Sequence, residues 1–214
     1  MKTLITIFLS FLFLISNAQE NQYEQAMNKA LKNLNRAKTG DDFLNAANTF
    51  ERISLNEKNE WLPVYYAAFS YIVITYALPD NSQKDTYLEK AQNFLDKAFK
   101  IEPDESELYA LQAFLYPAGI TVDPIARGAE YMGKMNKALE KAIKLNPNNP
   151  RSYYLRAITT LNMPQQFGGG ATAAKPIFEQ AKEKFDKFQP ATAISPNWGK
   201  AQNEEELKKL LANE

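Results

Sequence analysis

The chain has 214 residues, enough for one domain or a short repeat array. Lys plus Arg balance Asp plus Glu at 25 each, so no net field steers the protein to nucleic acid or acidic lipid. It contains neither cysteine nor histidine, which excludes disulfides, zinc sites built on those ligands, Ser-His-Asp triads and Cys-His nucleophiles.

Carboxylate or lysine chemistry survives those exclusions, but no carboxylate pair can be nominated from spacing alone. The chain is expected to be non-catalytic, with no metal site and no cofactor. The chain opens Met1-Lys2-Thr3, runs through apolar residues 4–15, and continues Ser16-Asn17-Ala18. A positive start, an apolar centre and a small-x-small end make residues 1–18 a secretory signal peptide, with the mature chain starting at Gln19. The apolar run falls short of the roughly 20 helical residues that span a bilayer. No cysteine follows it to take an acyl anchor. The expectation is an exported protein, periplasmic or extracellular, with no membrane span after cleavage.

Helical periodicity then begins with Ala30, Leu34 and Ala37, and the same four-then-three spacing returns at Ala46, Phe50 and Ile53. It returns most clearly as Ala91-x3-Leu95-x2-Ala98-x4-Pro103 and as Met135-x3-Leu139-x2-Ala142-x4-Pro147, where the prolines end the helices. A last copy is Ala174, Phe178 and Ala181. A second pattern starts at a constant offset beyond Lys58, Pro103 and Pro147: Val64, Ala68 and Tyr71; Tyr109, Ala113 and Tyr116; Tyr153, Ala157 and Thr160. Phase kept across the connecting loops is the mark of a repeat.

These residues resemble the tetratricopeptide repeat, aromatic-x2-apolar-small-x2-Tyr followed by Ala-x3-Phe-x2-Ala-x4-Pro. Val64, Tyr109 and Tyr153 stand where that family has its tryptophan, and Ala68, Ala113 and Ala157 where it has glycine. The resemblance implies an all-α helical-hairpin solenoid with repeats at about 27–60, 61–105, 106–149 and 150–188, and a capping segment 189–214. Against the 34-residue repeat, insertions fall at 77–83, 117–128 and 163–172, each between the two helices of its unit.

In such an array the first helices line a concave surface. Rotated away from the core stripe they carry Leu62, Tyr65, Tyr66, Phe69 and Val73, then Glu107, Leu111, Phe114 and Pro117, then Arg151, Tyr154, Ile158 and Leu161. One reading is a groove for a protein or peptide partner, with Tyr65, Tyr66, Phe69, Leu111, Phe114, Tyr154 and Ile158 as contacts. The other is that the insertions or the carboxy-terminal segment fill the groove. Homo-oligomerisation is a third outlet for the same surface.

The insertions emerge along one edge, where Asp123, Arg127, Gln165 and Gln166 are the candidate polar groups for a small ligand. That alternative is similar to periplasmic tetratricopeptide components of solute-transport systems. Gly168-Gly169-Gly170 lacks the Gly-Lys-Ser/Thr of a phosphate cradle and reads as a chain reversal. Trp198 reads as a hydrophobic plug, or a partner anchor, ahead of a capping helix over 201–211.

Overall fold

The computed structural model describes residues 22–78 and 80–212, so the leader pattern at 1–18 lies outside the described residues. The described residues form nine α-helices and no strand: α1 (22–34), α2 (Gly40–Asn56), α3 (Trp61–Ala77), α4 (Lys84–Ile101), α5 (Ser106–Val122), α6 (Pro124–Leu145), α7 (Pro150–Asn162), α8 (Ala171–Lys187) and α9 (Lys200–Ala212). A single 3-10 turn, Gln165–Phe167, lies between α7 and α8.

Local chemistry sets the helix starts. At α2 a capping box closes, with the Thr39 hydroxyl accepting from Asp42 N at 3.2 Å and the Asp42 carboxylate accepting from Thr39 N at 3.0 Å. Asp123 and Asn149 cap α6 and α7, each followed by a proline at the first helical position, where a missing N–H costs nothing. Helices α2, α4 and α6 end two residues before Lys58, Pro103 and Pro147.

Consecutive helices pack as hairpins, α2 on α3, α3 on α4, α5 on α6 and α7 on α8. Each first helix also touches the next first helix, α3 on α5 and α5 on α7, while α4 packs on α5 and α6 on α7. That double contact makes the array a solenoid with an inner layer of α3, α5 and α7. The core is made of the periodic positions: Ala91, Leu95 and Ala98 are fully buried, as are Leu139, Ala142, Ala174, Phe178 and Ala181. Burying one Leu or Phe contributes about 1.5–3 kcal/mol, and alanines between them let the helices approach closely. Gln92 and Gln112 exchange side-chain hydrogen bonds at 3.0 and 2.8 Å, so the seam between α4 and α5 carries a satisfied polar pair.

Two expectations need correction. Residues 117–128 are not an irregular insertion: α5 runs through Pro117 to Val122 and α6 starts at Pro124, so the extra length is absorbed as added helix. Gly119 permits this, because a Cβ there would lie 2.5 Å from a ring carbon of Tyr131 on α6. Ala37 falls outside α1, whose last turn closes at Arg36 and Ala37 on the carbonyls of Asn33 and Leu34 before the Thr39 cap intervenes. Residues 163–170 are irregular apart from the 3-10 turn, and 171–172 open α8. Among the described residues no helix is long and apolar enough to cross a membrane.

Candidate functional site: an aromatic pocket under a carboxy-terminal strap

Between α8 and α9, residues 188–199 leave the stack and return across the inner layer as a strap. Three polar contacts seat it. The Tyr66 hydroxyl donates to Ile194 O at 3.0 Å, Trp198 Nε1 donates to the Tyr65 hydroxyl at 2.7 Å, and Arg151 Nη1 donates to Trp198 O at 3.3 Å. Gly199 ends the strap at φ 98°, and a Cβ there would lie 3.0 Å from Phe185, so the chain turns into α9 only with glycine.

Arg151 is the strap's foundation. It is 0% exposed, and its Nε and Nη2 donate to the two Glu107 oxygens at 2.6 and 2.5 Å. Its guanidinium lies over the rings of Phe188, 4.5 Å from the centroid, and Trp198, 5.8 Å away. Burial pushes the Glu107 carboxyl up while the Arg151 hydrogen bonds pull it back. Burial opposes the Arg151 charge, but the Glu107 hydrogen bond and charge together hold the guanidinium above its ordinary value.

The strap covers the inner layer incompletely. Beside it lies a pocket of about 680 Å³, bordered by α1, Phe43 of α2, Tyr66, Phe69 and Val73 of α3, Phe114 of α5, Tyr154 of α7, and the strap with Trp198. Its volume is in the range of small-molecule sites. One wall is a cluster of tilted, near-parallel rings. Trp198 lies 5.4 Å from Phe69 and 5.6 Å from Phe114, at 38° and 30° between planes, and Tyr76 extends the stack on Phe114 at 5.5 Å and 16°.

The residues nominated from the sequence divide into three sets. Tyr66, Phe69, Phe114 and Tyr154 border the pocket. Tyr65 and Leu111 are fully buried in the core, and Ile158 is half-buried against the α8 and α9 cluster of Phe178 and Leu207. On the insertion edge, Asp123 caps α6 and Arg127 pairs bidentately with Asp85 at 2.6 and 2.9 Å. Gln165 and Gln166 are exposed. The edge groups therefore do not converge on one pocket. The repeat pattern gives no sign that α1 reaches the pocket, although Asn28, Leu31 and Lys32 of α1, with Asn35 just beyond its end, follow the i, i+3, i+4, i+7 spacing of one helical face.

Among the described residues no cluster of Asp or Glu could hold a metal ion. The pocket border offers aromatic side chains, two cations and amides.

Comparison with known proteins agrees with the all-helical fold. The structure is similar to the HusA haemophore from Porphyromonas gingivalis, with a TM-score of 0.80 and 30% identity, covering 89% of this chain and 94% of that one. No curated protein matches the sequence. The family model described as Regulator of microtubule dynamics protein 1-3 matches residues 30–200. The chain belongs to the Regulator of microtubule dynamics protein 1-3 family.

Proposed function

We propose that this protein is an exported, non-catalytic carrier that holds a flat aromatic ligand of the tetrapyrrole class in its strapped pocket. The observation that carries the reading is the ring cluster of Phe69, Phe114 and Trp198 on a 680 Å³ pocket, in a fold shared at 30% identity with a haemophore. A planar macrocycle matches such a wall because offset stacking rewards extended parallel rings, about 0.5–1.5 kcal/mol per ring pair beyond area burial.

The donor set bears on how such a ligand would be held. Haem iron is ordinarily ligated by His, Cys, Met or Tyr. The chain has neither of the first two, and the pocket border contains no Met. Its tyrosines are Tyr66, whose hydroxyl already donates to Ile194 O and which burial pushes well up, and Tyr154, which burial and the Glu206 and Glu205 charges push up to about 12. Burial disfavours ionisation of both phenols and the Tyr66 hydroxyl is already bonded, which supports recognition of the macrocycle's face over recognition of its metal.

We read the helix pairs as degenerate tetratricopeptide-like units at about 27–60, 61–105, 106–149 and 150–188, with 189–214 serving as strap and cap. The leader pattern at 1–18 supports the exported part of the reading. A protein or peptide partner on the concave side is less favoured, because the strap already occupies that side as an extended segment bonded to Tyr65, Tyr66 and Arg151.

The test is titration of protoporphyrin IX and of its iron complex into the purified chain, followed by tryptophan fluorescence and the porphyrin absorbance band. Saturable one-to-one binding, weakened roughly tenfold or more by Phe114→Ala in a folded variant, supports the reading. No saturable binding by the wild-type chain overturns it.

A further inference from the structure

We propose that Lys32 and Arg36 form an acid-recognition edge of the strapped pocket, so that its ligand carries carboxylates along one side and sits with that side towards α1. The proposal rests on the carrier reading and adds the ligand's charge and orientation.

The pocket border has two unlike contributions. Phe69, Phe114 and Trp198 bring rings from α3, α5 and the strap, while Lys32, in the last turn of α1, and Arg36, four residues on and just beyond its end, bring cations. No Asp or Glu borders the pocket. In a chain with 25 bases and 25 acids, a border holding two cations and no acid is a local arrangement and not a reflection of overall charge.

Among the described residues neither cation is held in an ion pair. A neighbouring hollow between α1 and α2 is bordered by both Arg36 and Asp42. The Asp42 carboxylate there is engaged by the backbone N–H groups of Lys38 and Thr39, each at 3.0 Å.

Cations at the carboxy-terminal end of α1 also complement the helix dipole. That explains a positive charge at this end of the helix. It does not explain why every other wall of the pocket lacks an acid. An apolar disc with two acid groups on one edge has the matching distribution: rings against rings, and carboxylates towards the two flexible cationic side chains.

Protoporphyrin IX, a diacid, and its dimethyl ester share the macrocycle and differ in that edge. Both would be titrated in mild detergent, at low and high salt, into the wild-type chain and the Lys32→Gln/Arg36→Gln variant, with helicity checked by circular dichroism. Two solvent-exposed charge pairs predict that the wild type prefers the diacid by about 2- to 30-fold. The preference should shrink as salt screens the contacts. The double variant should bind diacid and diester alike.

Equal wild-type affinity for the two porphyrins, or an undiminished preference in the double variant, overturns the acid edge and leaves the carrier reading standing. Failure of the wild type to bind either porphyrin overturns both.

Discussion

The indole N–H of Trp198 donates to the hydroxyl of Tyr65 at 2.7 Å, fixing the strap to the most buried stretch of α3. Tyr65 is wholly buried, which pushes its phenol well above the ordinary range, so at any physiological pH it is a neutral group able to accept this bond. Tyr65→Phe removes the acceptor and leaves the shape nearly unchanged. The expected cost is about 1–2 kcal/mol in urea unfolding, with weaker porphyrin binding because the Trp198 ring loses its fixed tilt. Unchanged stability and affinity would show that the bond does not position the indole.

The Arg151–Glu107 pair should behave as a buried ion pair that also anchors the strap. Arg151→Met strands the Glu107 carboxylate and is expected to cost roughly 3–5 kcal/mol. Pairing it with Glu107→Leu should recover most of that loss, since well-packed apolar replacements often match a buried pair. Ligand affinity should not recover in the double variant, because Trp198 O has still lost its donor. Parallel recovery of stability and affinity would assign the pair to folding alone.

The core positions were legible because alanine and leucine at four-then-three spacing leave a helix a single way to bury its apolar side. Ala91, Leu95 and Ala98 are buried as that spacing requires. The pocket was legible only in part. Phe69 and Phe114 belong to an apolar face that sequence alone cannot distinguish from core, and Tyr65 and Leu111, on the same face, are core. What separates them is the path of residues 188–199, set by contacts such as Tyr66 with Ile194, 128 positions apart. No local pattern encodes a pairing at that range. The second insertion was misread for a related reason: Pro117 breaks the intrahelical bonding locally, while packing on α6 carries α5 through it.

Where the strap enters α9, Asp186 of α8 ties the two helices by pairing with Lys200 at 2.9 Å, while also accepting from Lys182 of its own helix at 2.5 Å. Hydrogen bonds from the two lysines hold its carboxyl low, at about 2 against an ordinary 3.8. A depressed folded value means that this tie contributes fully above pH 3.8 and is lost as pH falls through about 2. Carboxyl titration by NMR should place Asp186 at the low value in the wild type and move it back towards the ordinary one in Lys182→Gln/Lys200→Gln. An unshifted Asp186 in the wild type would remove the tie.

Porphyrin binding should be nearly indifferent to the metal. A protein that grips haem through iron binds the metal-free macrocycle far more weakly, because a coordinate bond is missing. Here the chain has no His or Cys, and Tyr66 and Tyr154, the phenols on the pocket border, are both pushed towards the neutral form. Stacking on Phe69, Phe114 and Trp198 depends on the face of the ring system, which the metal-free and iron forms share. Their dissociation constants are therefore expected to agree within about threefold, a difference under 1 kcal/mol. A preference of roughly a hundredfold for the iron form, near 3 kcal/mol, would require a protein ligand to iron. Tyr66→Phe and Tyr154→Phe would then identify it, and the stacking account would give way to coordination.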